Sequence, residues 1–205
     1  MVGLLEEGAG DLDSRGFARM VEQLAADFSY DLSDDFVSIS ARFLTENSDQ
    51  AIDLLRDSLI RPTFDADAIN RVRQQVLSGI LSDSKSPRDI GSRAFRTLTY
   101  GDHPYARTES GTVETVTALT RDDLLAAHRN ALTRDRVYVS AVGDITPEAL
   151  AMLMDRLLGD LPAAGPNLPA PAQLNFLGGT HVIPFETLIG VIIQTTGWTA
   201  QEDPD

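Results

Sequence analysis

The chain has 205 residues, 42% of them hydrophobic, with 17 basic against 31 acidic residues for a formal net charge of −14, and no cysteine. This is enough apolar content for one large domain, or one domain and part of another, while the acidic balance and the lack of any Lys/Arg run exclude the usual footprint of nucleic-acid or anionic-membrane binding. Without cysteine there is no disulfide framework, thiolate nucleophile or thiolate zinc site, and the longest apolar run near the C-terminus, Leu188 to Ile193, is far too short to insert across a bilayer.

From Asp13 the apolar residues Phe17, Met20, Val21, Leu24 and Phe28 recur at helical spacing, and the run FVSISARF at 36–43 then alternates as a strand does. Asn47 is placed to cap a helix carrying Ile52, Leu55 and Leu59, which Pro62 ends. A second helical run from Asp65 sets Ile69, Val72, Val76 and Ile80 on one face. Ser86 before Pro87, with Asp89 three residues on, marks the start of a helix through Leu98, and Thr120 with Asp123 repeats the device. VYVSAVG at 137–143 reads as a buried strand, after which Thr146-Pro147 opens a helix with Leu150, Leu153, Met154 and Leu157. The order predicts an α/β (α+β) fold. One mixed sheet holding 36–43 and 136–143 is covered on one side by helices near 47–60, 65–82, 87–99 and 120–131. Residues 162–173 hold four prolines and one glycine, an extended connector. The expected organisation is therefore a domain over 1–161, a Pro-rich linker over 162–177, and the first strands of a second, related domain over 178–205. The sequence starts inside an element and stops with its last strand barely finished, the pattern expected of a truncated piece.

Candidate chemistry is sparse. Asp11, Asp13 and Glu22, with Gly16 at the sixth position, imitate a calcium loop, but Arg15 stands where an oxygen ligand belongs, and Asp13 reads better as a helix N-cap. Gly8-Ala-Gly10 lacks the third glycine and the preceding strand of a dinucleotide site and reads as a turn. His128 follows Leu124 on one helical face and reads as a core histidine. His181 opens a strand without a second ligand nearby, and His103 has no histidine four residues away to complete a metal pair.

Taken in order, LLEEGAGDLDSRGFARMVEQLAA (4–26), AIDLLRDSLIRPTFDADAINRVRQQVLSGI (51–80), YGDHPYARTESGTVETVTALTRDDLLAAH (100–128) and RVYVSAVGDITPE (136–148) resemble the insulinase/pitrilysin family of inverted-motif zinc peptidases. The resemblance covers most of residues 1–160. It implies a chamber-type fold in which paired α/β domains enclose peptides. It also implies a His-x-x-Glu-His helix, whose histidines share a face and grip one zinc while the glutamate activates water, with a later glutamate as third ligand. In that register Val2 occupies the position of the glutamate and Gly3 that of the second histidine. The first histidine would precede Met1, and Gly79 stands at the third ligand. The family's substrate-edge segment aligns loosely with Ser29 to Ile39 and keeps neither its usual asparagine nor its usual tyrosine in register; Ser29, Tyr30 and Asp31 are the candidate edge-strand residues.

The resemblance thus implies no catalytic residue and no zinc bound by this chain, although active family members carry zinc. The expected function is that of a non-catalytic subunit or half of a zinc-peptidase assembly, contributing to the peptide chamber and not an enzyme on its own. The expected partners are a zinc-bearing homologous subunit, forming a heterodimer, and peptide or unfolded protein, with no nucleic acid and no membrane insertion. Two alternatives stay open: an active zinc metalloendopeptidase whose metal motif lies upstream of the given start, and a stand-alone peptide-binding module. Family habit favours a bacterial protein that is periplasmic or secreted rather than cytoplasmic. In the same resemblance YGDHPYARTESGT at 100–112 is a structural loop, with His103, Tyr105 and Arg107 fixing it.

Overall fold

The computed structural model of the chain describes residues 1–175, 178–185 and 192–195. Its regular elements, in chain order, are β1 (Gly8–Ala9), β2 (Leu12–Asp13), α1 (Ser14–Gln23), β3 (Asp27–Leu32), β4 (Val37–Arg42), α2 (Ser48–Ile60), α3 (Ala66–Asp83), α4 (Pro87–Tyr100), α5 (Val113–Ala118), α6 (Arg121–Ala131), α7 (Pro147–Leu158), β5 (Gly179–Val182) and β6 (Ile192–Thr195). They fall into two units. One comprises Met1–Gln74 with Thr117–Asn167, the other Gln75–Val116 with Leu168–Asp205.

The helix starts follow the capping chemistry of the sequence. Asp13 accepts from the Gly16 amide at 2.7 Å, Ser86 from the Asp89 amide, and Thr146 from the Ala149 amide. Thr120 and Asp123 form a full reciprocal box, each satisfying amides that a helix start would otherwise leave bare. Asn47 differs: it precedes α2 without capping it, and its Nδ2 donates instead to the Leu24 carbonyl at 2.9 Å, pinning the end of α1. α1 stops at Gln23 because Ala25 takes a left-handed φ of +47°, so Phe28 leaves the helical stripe and joins β3. In the β1–β2 turn, Gly8 has φ +125°, and a Cβ there would lie 2.8 Å from Thr63 Oγ1. The close approach of this turn to Thr63 needs glycine.

The expected single sheet is not formed. Among the described residues the strands make three two-stranded antiparallel pairs, β1–β2, β3–β4 and β5–β6. The alternating run at 36–43 is β4, in register with β3 from Asp27↔Arg42 to Leu32↔Val37. The run at 136–143 is neither paired nor buried: Tyr138 and Val142 are 97% and 102% exposed. A strand is defined by its neighbour. β-branched side chains alone do not supply one, and none of the described strands runs beside this segment. Residues 162–175 hold no helix or strand. Residues 176–177 of the linker, and 186–191 and 196–205 of the expected second-domain strands, lie outside the described residues, with part of the apolar run 188–193.

In the first unit the core is centred on α2. Ile52, Leu55 and Leu59 pack with Leu4, Leu5, Phe64, Ala68, Ile69, Leu124 and Leu157, while Ala51 and Leu54 join Ala9, Phe17 and Leu24. His128 is buried among them as its spacing predicts. Its Nε2 lies 2.9 Å from the Leu59 carbonyl, which can only accept, so this nitrogen carries the proton. The ring meets Phe64 edge-on at 5.9 Å. Burial lowers the His128 imidazole below its usual range; the bond to Leu59 opposes this and the Arg129 charge adds to it. A depressed base favours the folded state above the unfolded-state value of about 6.5, and that stability is lost as pH falls below it, because the unfolded chain takes up the proton first. Urea unfolding followed by circular dichroism at about pH 7.5 and about pH 5.5 is expected to show an acid-induced loss of stability that is smaller in His128→Gln. An equal loss in both proteins would remove His128 as its source.

Candidate functional site

The edge-strand candidates lie together in β3, whose residues alternate between inward and outward faces. Ser29 and Asp31 point outward and are exposed, opposite Ser40 and Ser38 of β4. One position from them along the same face, Asp27 pairs with Arg42 across the strands at 3.1 Å. Tyr30 points inward. Its hydroxyl lies 2.7 Å from Ser58 Oγ, and Ser58 in turn donates to the Leu55 carbonyl at 2.7 Å. A serine has one proton to give, so Tyr30 is the donor in the first bond. Burial pushes the Tyr30 phenol up to about 12, with the Glu6 charge adding to the shift. The phenol therefore stays protonated near neutrality and fastens β3 to α2. Of the segment Ser29 to Ile39, only the residues to Leu32 belong to β3. The residues after β3 form the turn to β4, closed by Ser33 N–H to the Phe36 carbonyl at 2.9 Å.

The three positions matched to metal chemistry carry none of its groups. Val2 opens a 3-10 turn at Val2–Leu4 that packs beside β3, and its side chain is buried. Gly3 in the same turn and Gly79 within α3 are exposed, and a Cβ added at either would meet no atom within 4 Å. Gly79 belongs to the Gln75–Val116 unit, Val2 and Gly3 to the other. The carboxylates nearest in sequence do not substitute. Glu7 accepts from Ser14 Oγ at 2.8 Å and pairs with Arg71, and partial burial followed by the Glu7 charge raises Glu6 above the usual carboxylate range. Among the described residues, no three His, Asp or Glu side chains are grouped as a metal site. Zinc chemistry needs imidazole or carboxylate ligands and an open position for water; the residues at the matched positions do not fit it.

Sequence reasoning missed Ser58. The signal was present, because Ser58 follows Leu55 by three residues on the same stripe as Leu59 and is the one polar residue there; a polar residue inside an apolar stripe has to find a partner. In the loop at 100–112, which the resemblance implies is structural, the contacts run among His103, Tyr105 and Tyr100. His103 caps the 3-10 turn Pro104–Ala106, and its ring lies 4.7 Å from that of Tyr105, which meets Tyr100 at 5.5 Å.

Residues 5–113 match the family described as insulinase (peptidase family M16), and residues 118–191 match the peptidase M16 inactive domain. The chain is 26% identical over 159 residues to a protein named non-peptidase homolog YmxG of Helicobacter pylori, covering 78% of this chain and 37% of that one. It is 26% identical over 140 residues to an uncharacterized zinc protease YmxG of Bacillus subtilis, covering 68% and 34%. A crystal structure of a peptidase M16 inactive domain from Pseudomonas fluorescens superposes with a TM-score of 0.77 at 28% identity, covering 82% of this chain and 42% of that one. The chain therefore spans well under half the length of each.

The Tyr30–Ser58–Leu55 relay is the contact that holds the candidate edge strand. Ser58→Ala leaves the phenol without its acceptor and is expected to cost about 1–3 kcal/mol, and Tyr30→Phe about 0.5–1.5 kcal/mol. In a double-mutant cycle measured by urea unfolding, the combined variant should cost less than the sum of the two. Strict additivity would mean that the two hydroxyls do not interact.

Proposed function

Because the chain belongs to the insulinase family, peptidase family M16, we propose that it is a non-catalytic member: a subunit or half of a zinc-peptidase assembly that helps form the peptide chamber while a homologous zinc-bearing partner hydrolyses. The observation that carries this reading is the occupancy of the base, second-ligand and third-ligand positions by Val2, Gly3 and Gly79. Loss of a single ligand weakens a metal site; loss of the base and two ligands leaves neither a Lewis acid nor an activated water. The names of two similar proteins, a non-peptidase homolog and an inactive domain, support the same reading.

What remains is main-chain recognition. Two-stranded β3–β4 has edges beyond the pair, and an extended peptide adds to an edge through backbone hydrogen bonds whatever its sequence. The outward residues Ser29 and Asp31 are small or acidic and would flank such a peptide, while Tyr30 holds the strand from beneath. A second reading, an active enzyme whose His-x-x-Glu-His precedes Met1, draws on the relatives named zinc proteases. It requires a register other than the one placing Val2 and Gly3 in the motif.

Two measurements test the proposal. The chain purified without chelator or affinity metal is expected to hold far less than stoichiometric zinc; stoichiometric zinc lost on changing residues 1–5 or 76–82 would overturn the register. Cleavage of unfolded peptides should be absent for this protein alone and appear, or rise, when a motif-bearing homologue is added. Chelator-sensitive cleavage by the protein alone would favour the second reading, and a homologue equally active without it would remove the partner role.

A further inference from the structure

Residues 137–143 leave their bonding capacity unspent. Val137 follows the 3-10 turn Arg134–Arg136 in extended backbone, at φ −88° and ψ 129°. The segment ends where the Ile145 amide donates to the Gly143 carbonyl at 3.1 Å. Between these points, among the described residues, no backbone hydrogen bond is made from Val137 to Val142. Exposure alternates along the segment: Tyr138 and Val142 are 97% and 102% exposed, against 37% for Val137 and 52% for Val139. One face of an extended segment is therefore turned wholly to solvent while the other is partly covered. A run of high β-propensity that lacks Pro and charge, with its backbone groups unpaired, is a template for another strand.

We propose that the strand it receives is the same segment of a second copy of this chain, joined through residues 136–144 in an antiparallel pairing whose two-fold axis passes Ser140. The sequence is its own complement about that residue. In this register Tyr138 of each copy lies opposite Val142 of the other, Val139 opposite Ala141, and Arg136 opposite Asp144. An aromatic against a β-branched side chain and an arginine against a carboxylate are favourable cross-strand pairs, and the symmetry forms each of them twice. Neighbouring registers lose them. A slip of one residue sets Asp135 against Asp144 in one direction and Val137 against Asp144 in the other, and a slip of two sets Tyr138 against Ser140 or Asp144. Within its own chain Arg136 has its Nε 3.5 Å from Asp135 Oδ2 and donates through Nη2 to the Pro166 carbonyl. A guanidinium has five N–H donors, so these contacts leave capacity for the carboxylate of the second copy. Neither buried cluster draws on residues 137–143, so the segment can enter a ladder without disturbing the core. This inference does not depend on the chain's being non-catalytic.

Sedimentation velocity of the whole chain over a wide range of concentrations tests the pairing, at about 0.15 M salt, where the repulsion between two chains of net charge −14 is screened beyond about 8 Å. The mass is expected to rise from one chain to two and stop there. Val139→Pro combined with Ser140→Pro removes a partner-facing amide whichever of the two residues is the hydrogen-bonded one, and should keep the protein monomeric while circular dichroism shows its helices intact. Arg136→Asp alone and Asp144→Arg alone each set like charges opposite one another at both ends, and each should weaken pairing severalfold. Mixed in equal amounts, the two variants set opposite charges at both ends and should associate with each other. A monomer at every concentration, growth beyond two chains, a dimer unchanged by the proline variant, or a mixture no tighter than its components would each overturn the pairing.

Discussion

Burial of α2 on two sides organises the Met1–Gln74 and Thr117–Asn167 unit. One face of the helix carries Ile52, Leu55 and Leu59 into the larger cluster, and Ala51 and Leu54 carry the adjoining face into the smaller one. Each large apolar side chain so buried contributes roughly 1.5–3 kcal/mol. The ion pairs linking α2 to the α7 region, Arg156 with Asp49 and Asp53 and Arg56 with Asp160, are largely exposed. Pairs of that kind contribute about 0–1 kcal/mol each. Apolar burial therefore fixes α2, and the arginines orient α7 against it. The polar contacts that matter most are the buried ones α2 itself receives: Tyr30 on Ser58, and His128 on the Leu59 carbonyl.

The same core tolerates local strain. Phe64 takes a left-handed φ of +46° although its side chain is bulky, a conformation that costs on the order of 1–3 kcal/mol. Two features hold it there. The ring is 1% exposed in the main cluster, and Arg121 donates to the carbonyls of both Thr63 and Phe64, at 3.0 and 3.2 Å. The first residue of α6 thus clamps the turn between α2 and α3, and the Thr120–Asp123 box that spans it keeps that helix start in place.

The parts of this architecture legible in the sequence are those set by neighbours a few residues away. Asp13, Ser86, Thr120 and Thr146 cap helices because the amide each one meets lies three positions on. The apolar spacing around Leu55 and Leu124 likewise marks the faces that are buried. Features that depend on distant partners were not legible. Asn47 has a cap residue's identity but spends its amide on Leu24, which no local rule predicts. Residues 137–143 have the composition of a strand, yet pairing is a property of two segments and the described residues provide no second one. The candidate site shows the same division: Ser29 to Asp31 could be placed on an edge only through the family resemblance, and the bond from Tyr30 to Ser58, which spans 28 residues between strand and helix, could not be read at all.

The three matched positions, Val2, Gly3 and Gly79, differ in what the scaffold asks of them. Val2 adds apolar burial beside Leu4 and Leu5, which are themselves 3% and 0% exposed, so the turn is anchored by its neighbours. Gly3 and Gly79 are required by neither backbone nor packing. Their φ values are not positive, and no neighbouring atom would meet an added Cβ. A glycine inside a helix costs about 1 kcal/mol relative to alanine through backbone entropy alone, and at Gly79 no close packing offsets that cost. The fold therefore bears a small penalty at that position without collapsing, because the α2 core does not draw on it. The matched glycines are separable from the scaffold for a physical reason: Gly3 and Gly79 face outward from the clusters that carry stability, whereas Val2 is held in the buried turn.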